Sequence, residues 1–301
     1  MAILADSQTR VLVQGITGRE AASFVLDCIR YGTQIVAGVT PGRGGQRVHG
    51  VPVFDTVAMA QQGTHCTASV VSVPAAHVVD AATEGLDAGL KLVVIVTERV
   101  PRRDVVTILE RARDRAATVI GPNSLGIVSP DVVRLGMAGG ALVSLRRAYR
   151  KGPVAIMSRS GGMLTELANL LTQAGIGQST CVSVGGDPIV GSTFLDLLPR
   201  FEADTETKAL VLFCGPGGTM EEQFAEHVAV HKSRLPVIAF IAGRFTDGIQ
   251  RIQFGHAGAI VDGQRGSPAR KAALLREAGV LVADHLADVP QLVRRELERA
   301  S

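Results

Sequence analysis

The chain has no tryptophan, only 2 tyrosines and 9 phenylalanines in 301 residues. That scarcity argues against recognition through stacked aromatic platforms, as single-stranded nucleic acids require. Charge of one sign is not in excess either. Lys and Arg total 31 against 28 Asp and Glu, a net +3, which is too small and too mixed for a nucleic-acid or anionic-membrane surface. The 4 cysteines, Cys28, Cys66, Cys181 and Cys214, stand far apart without a CxxC pair or metal-ligand spacing, so buried free thiols are expected and a disulfide framework is not. No apolar run is long enough to span a bilayer, and Met1 to Arg10 lacks an apolar signal core, so the cytosol is the expected compartment. Short repeats and low-complexity tracts are also missing.

What is plentiful is glycine, 34 residues, as suits a protein whose backbone approaches its ligands closely. The length allows two domains. Apolar, β-branched runs alternate with helical spacing: strands at 11–13, Gln34–Val39, Ala68–Val73, Lys91–Thr97 and Ala117–Ile120, helices at Arg19–Tyr31, Ala75–Ala88 and Arg102–Arg115. Short, wholly apolar strands between helices indicate an α/β fold with a parallel sheet covered on both faces. The rhythm breaks over 128–152, which holds scattered glycines and a basic run and is expected to connect two units, 1–127 and 153–301. It restarts with strands at Val154–Met157, Thr180–Val184, Ala209–Phe213, Val237–Ile241 and Gly279–Val282. Helices are expected at Met163–Ala174, Thr193–Phe201, Met220–His231, Pro268–Ala278 and Val289–Arg299.

The first strand runs into Gly15-Ile16-Thr17-Gly18, and a helix starts at once. Free backbone N–H groups at a helix start, with the dipole behind them and the Thr17 hydroxyl beside them, suit a phosphate; the plainer alternative is that Gly18 only eases helix–strand packing. A dinucleotide site would carry GxGxxG here and an acidic residue after the second strand. The second strand instead ends in Thr40-Pro41-Gly42-Arg43-Gly44-Gly45, and a guanidinium on a glycine loop favours a phosphorylated ribose. NADP and coenzyme A both carry one; without the glycine fingerprint, CoA is preferred. A solvated loop charge is the ordinary reading of an isolated Arg43. Val96-Thr97-Glu98 and Gly121-Pro122-Asn123-Ser124 end later strands at the same edge, where they line a pantetheine path or simply make turns.

One histidine stands out. Gly255-His256-Ala257-Gly258-Ala259 surrounds the imidazole with almost no bulk. Neutral imidazole is a nucleophile near pH 7 and accepts a phosphoryl group; spacing alone leaves this level with an ordinary glycine turn. His227 and His231 lie one helical turn apart, but without HExxH or a third ligand they indicate a solvated helix face, and no metal site is expected. Met157-Ser158-Arg159-Ser160-Gly161-Gly162 follows a strand and opens a helix. Ser158 stands where a nucleophile elbow needs glycine, so a second phosphate cradle is expected, formed by the N–H groups of Ser160, Gly161 and Gly162. The turns Gly185-Gly186-Asp187-Pro188 and Gly215-Pro216-Gly217-Gly218 leave the same sheet edge.

In order and spacing, Gln14-Gly15-Ile16-Thr17-Gly18, the run Gly38 to Gly45, Ile120-Gly121-Pro122-Asn123, Ser158-Arg159-Ser160-Gly161, Gly185-Gly186-Asp187-Pro188 and the run Gly255 to Ile260 resemble the alpha subunits of succinyl-CoA synthetase. The resemblance covers nearly the whole chain. It implies an N-terminal CoA-binding Rossmann-like domain and a C-terminal flavodoxin-like ligase domain. It implies ligation in three steps: a nucleoside triphosphate phosphorylates His256, the phosphoryl group passes to a carboxylate such as succinate, and CoA displaces phosphate. ATP or GTP with Mg2+ would be held mainly by an ATP-grasp beta subunit, in a heterodimer or heterotetramer, without which this chain is inactive. On the same resemblance Thr17, Gly18, Arg19, Glu20, Arg43, Val96, Thr97 and Glu98 correspond to CoA contacts, with Arg43 standing for the usual Lys and Arg19 and Glu20 for smaller or neutral residues.

Two departures bear on the chemistry. The family usually carries a Glu that supports the histidine in the loop occupied here by Gly215-Pro216-Gly217; Asp187, Glu221 or a partner residue are the candidates to replace it. Thr165 stands where the family has a Tyr near the acyl substrate, which opens the choice to malate, citrate or another small carboxylate. The rival reading is a CoA-binding or regulatory module that has lost phosphoryl transfer. An NADP reductase would need a nicotinamide site, for which no residues stand out.

Overall fold

The computed structural model describes residues 2–244, 261 and 265–299. The chain opens with β1 (Arg10–Gln14), α1 (Arg19–Tyr31), β2 (Gln34–Val39), β3 (Arg47–Val48), β4 (Val51–Phe54), α2 (Val57–Thr64) and β5 (Ala68–Val71). α3 (Val78–Asp87), β6 (Leu92–Ile95), α4 (Arg102–Asp114) and β7 (Thr118–Ile120) complete a first sheet of order β3-β4-β2-β1-β5-β6-β7. β1 is central because its run is apolar on both faces: Val11, Leu12 and Val13 are fully buried, each stabilising the fold by about 1.5–3 kcal/mol over exposure. It pairs in parallel with β2 on one side and β5 on the other. Chain order reverses between β1 and β5, so a crevice opens there at the C-terminal ends of the strands. α1 covers the sheet with Ala21, Phe24, Val25 and Cys28.

The second sheet is built from β10 (Lys151–Ser158), β11 (Gln178–Ser183), β12 (Ala209–Cys214), β13 (Val237–Ile241) and β14 (Leu281–Ala283). Its helices are α6 (Gly161–Gln173), α7 (Phe194–Ala203), α8 (Met220–His231), α9 (Pro268–Glu277) and α10 (Val289–Arg299). The parallel part has the order β14-β13-β12-β10-β11, the flavodoxin-like arrangement, with its reversal between β10 and β12. α7 starts with a capping box in which Thr193 and Asp196 exchange hydrogen bonds.

The stretch 128–152 departs from the expected connection. β8 (Gly126–Ser129) and β9 (Val133–Gly136) form an antiparallel hairpin that extends the second sheet beyond β11, and α5 (Leu142–Ala148) packs on α6. The strands are short, and glycines at both ends hid their alternation; inside, Ile127, Val128, Val133 and Leu135 are buried. β9 also lies on α1, where Thr33 Oγ1 donates to Arg134 O at 2.8 Å and so ties the first unit to the second. Among the described residues no helix is long and apolar enough to cross a membrane, and no group of three or more His, Cys, Asp or Glu is placed to hold a metal ion. All four cysteines are free and buried.

Candidate active site

At the reversal of the first sheet lies a cavity of about 700 Å³, lined by Gly15, Thr17, Gly18, Thr40, Pro41 and the turn after β5. Its shape follows from the β1–α1 turn. Gly15 has φ +83°, and a Cβ there would sit 2.2 Å from Ser72 O, so only glycine lets this turn lie against the next one. No side chain caps α1 at Gly18, which leaves helix-start N–H groups for a ligand. Beneath them Gln14 is buried but satisfied, accepting from Ser69 Oγ at 2.7 Å and donating to Ala81 O at 2.6 Å. Thr17 Oγ1 donates to Thr40 Oγ1 at 3.2 Å, joining the two turns that form the mouth.

A second cavity of about 480 Å³ shares Gly18, Ser72, Val73 and Pro74 with the first and continues past Arg19, Glu20, Val96, Thr97 and Glu98 to Leu125 and Met137. Its far end meets the second unit. Asn123, in the left-handed region at φ +55°, donates from Nδ2 to Asp187 Oδ1 at 3.0 Å, and its carbonyl accepts from Gly186 N–H at 3.1 Å. Burial pushes the Asp187 carboxyl up, while Asn123 and the N–H groups of Val100 and Arg99 pull it back. Asp187 thus bridges the two units through Asn123.

At the second sheet, β10 ends at Ser158 and α6 begins at Gly161, with Ser160 as N-cap. Ser160 N–H donates to Ser158 Oγ at 3.1 Å, so it is engaged, which leaves the Gly161 and Gly162 N–H groups as the candidate cradle. A Cβ on Gly161 would collide with Leu125, at 2.1 Å from Cγ, whereas above Gly162 there is open space. Leu125 thus lines the second cavity and also touches the start of α6. Beside the cradle lies a buried ion cluster: Lys271 Nζ is 2.7 Å from Glu221 Oε2, and Arg159 Nη1 is 3.7 Å from Glu221 Oε1. Burial pushes the Glu221 carboxyl up, but Lys271 and then Arg159 outweigh it and hold the group below the usual carboxylate range. Glu221 is thereby engaged with Lys271 and Arg159.

Of the residues singled out from sequence, Thr17 and Gly18 line the first cavity, and Gly18, Arg19, Glu20, Val96, Thr97 and Glu98 line the second. Arg43 lies exposed on the Thr40–Gly45 loop and lines neither. Thr165 is also outside both: its hydroxyl accepts from Gly139 N–H at 3.1 Å and bonds Tyr149 OH at 3.1 Å, fastening the loop after β9 to α6. His256 lies outside the described residues. His77, the N-cap of α3, and Asp80 and Glu84 within it line the first cavity as well; their helical spacing was the available signal. Lys271, fully buried among Ala272 and Leu275, was detectable as a charge on an otherwise apolar helix face.

An apolar cavity at the reversal of the first sheet, suited to a long cofactor, and an uncapped helix start at that of the second define a two-domain α/β ligase of the CoA-binding class. The family model described as CoA binding domain matches residues 6–99, and that described as CoA-ligase matches residues 157–281. The chain is 45% identical to succinate–CoA ligase [ADP-forming] subunit alpha 1 of Archaeoglobus fulgidus, over 99% of each chain. It is 42% identical to the corresponding alpha subunit of Staphylococcus epidermidis, over 94% of this chain and 91% of that one. Among solved structures, ATP citrate lyase from Methanothrix soehngenii, in complex with citrate and coenzyme A, superposes with a TM-score of 0.90 at 25% identity. That match covers 99% of this chain and 51% of the lyase, so the chain spans about half of the larger protein. A dinucleotide-forming acetyl-coenzyme A synthetase of Ca. Korarchaeum cryptofilum shares the fold, with a TM-score of 0.71 at 22% identity over 93% of this chain and 59% of that one. The chain belongs to the succinate–CoA ligase alpha-subunit family.

Proposed function

We propose that this chain is the CoA-binding, phosphoryl-carrying subunit of an ADP-forming succinate–CoA ligase and works with a nucleotide-binding partner subunit. Succinate and ADP formation follow the names of the relatives. The observation that carries the reading is continuity: a trough from the β1–α1 turn to Leu125, whose side chain also packs on Gly161 at the start of α6. CoA seated with its phosphates at Thr17 and Gly18 extends its pantetheine past Val96 and Thr97, and its thiol then arrives beside the α6 cradle. The Gly161 and Gly162 N–H groups and the helix dipole stabilise the charge on a phosphoryl group there. His256 acts as the nucleophile that receives this group from ATP and yields it to the substrate carboxylate. The thiolate attacks the acyl phosphate, the C–S bond forms, and phosphate leaves. Mg2+ accompanies the nucleotide and is assigned with it to the partner subunit.

The reading is tested by purifying the chain with its partner subunit and supplying ATP, Mg2+, CoA and succinate, malate or citrate in turn. Succinyl-CoA should form fastest, and His256→Ala should abolish it while CoA binding persists. Thioester formation undiminished by His256→Ala would overturn the assignment.

A further inference from the structure

The segment carrying His256 lies between two described stems, Gly243-Arg244 and Arg265-Gly266, and both stems meet one turn. On the outgoing side, a Cβ on Gly243 would lie 3.0 Å from the Pro216 ring. On the returning side, Gly217 N–H donates to Gly266 O at 2.8 Å, and a Cβ on Gly266, at φ +76°, would lie 3.0 Å from Gly218 O. The Gly215–Gly218 turn is held in its place by the ion cluster. Lys271 Nζ donates to Gly215 O and Gly217 O, each at 2.7 Å. Arg159 Nη1 donates to Gly217 O at 2.7 Å, and Gly215 N–H donates to Glu221 Oε1 at 3.3 Å. Arg159 immediately precedes Ser160, the N-cap of α6. Next door, Glu222 Oε1 accepts from Gly266 N–H at 2.8 Å and lies 3.7 Å from Arg270 Nε.

We propose that Lys271, acting with Glu221 and Arg159, is a positioning residue that fixes the Gly215–Gly218 turn, and through it both stems of the His256 segment, relative to the α6 cradle. A buried ammonium is costly unless its hydrogen bonds are made. Those of Lys271 go to the turn carbonyls, and its ionic partner is Glu221, so its interactions favour one shape of that turn. The cluster lies where chain order reverses in the second sheet, between β10 and β12. Its two cations and one carboxylate leave one positive charge in excess under the cradle. A displacement on the order of 1 Å at a reacting group slows chemistry by about a hundredfold, so the lock bears directly on phosphoryl transfer. The inference rests on the reading of His256 as the phosphoryl carrier.

The test uses the chain assembled with its partner subunit and follows, in a single turnover, the transfer of label from γ-labelled ATP to protein. Lys271→Met is compared with Phe201→Leu, a core change in α7 remote from the turn, after matching the two for loss of melting temperature. Lys271→Met should slow labelling by about tenfold or more and lower kcat with the KM for CoA unchanged, while Phe201→Leu stays within about twofold of wild type. Labelling by Lys271→Met within about twofold of wild type overturns the inference, as does equal slowing by Phe201→Leu. If Lys271→Met fails to assemble, Glu221→Gln, which keeps the shape and removes the charge, should show the same slowing; an unchanged rate overturns the inference. A wild type that takes up no label removes the phosphohistidine reading itself, a different result from a labelled wild type with an equally labelled Lys271→Met.

Discussion

The two sheets form their ligand edges by opposite means. At the first, the crevice between β1 and β5 is shaped by backbone and apolar walls, and the charged candidates Arg19, Glu20, Arg43 and Glu98 are exposed. At the second, the edge between β10 and β12 is underpinned by Arg159, Glu221 and Lys271, all buried. The difference suits the tasks proposed for the two edges. A cofactor that enters and leaves needs an open trough with donors at a helix start, whereas phosphoryl transfer needs reacting groups held in one geometry.

Stability measurements separate the edges most strongly. Lys271→Met removes the nearer cation partner of the buried Glu221 carboxylate, leaving Arg159 at 3.7 Å, and should cost about 3–5 kcal/mol in urea unfolding; a loss under about 1 kcal/mol would mean that the cluster is not a lock. The acid limb carries the same information. Because the folded Glu221 pKa is depressed, its contribution is present above the unfolded value, about 4.3, and is lost as pH falls through the folded value. Glu221→Gln should therefore flatten the acid decline of stability below about pH 4.3, and an unchanged decline would contradict the assignment.

Gly15→Ala probes the first edge. Its Cβ meets Ser72 O, and the positive φ adds strain, at a cost of about 1–3 kcal/mol. Calorimetry should show CoA binding sharply weakened, while phosphorylation from ATP persists because the second edge is untouched. Loss of both together would erase the division of labour. Arg43→Glu should have the smallest effect, a several-fold weaker affinity for CoA through charge reversal near a ribose phosphate. Arg43 is exposed and outside both cavities, and an unchanged affinity would remove it from the site.

The parallel strands were legible because burial on both faces writes them as unbroken apolar runs: β1, β5, β6, β12 and β13 all read directly. The β3–β4 edge, α2 and the β8–β9 hairpin were not, since strands this short carry too few residues to show a period, and β8 and β9 have their apolar residues on a Gly-bounded hairpin. At the site, glycine turns announced the helix-start donors, yet sequence does not say which N–H groups the fold consumes. Ser160 gives its N–H to Ser158, and Thr165 spends its hydroxyl on Gly139 and Tyr149. Sequence shows Lys271 only as a charge on an apolar helix face, because its partners are backbone carbonyls and a carboxylate 50 positions away, 271 − 221, a separation that spacing rules do not reach.

The most direct measurement is the chemistry of the phosphoprotein. After incubating the chain and its partner with γ-labelled ATP and Mg2+, the label on this chain should be acid-labile and base-stable, map to the peptide containing His256, vanish in His256→Asn, and be discharged by succinate with CoA. Label that is acid-stable, that maps elsewhere, or that survives His256→Asn would contradict the account.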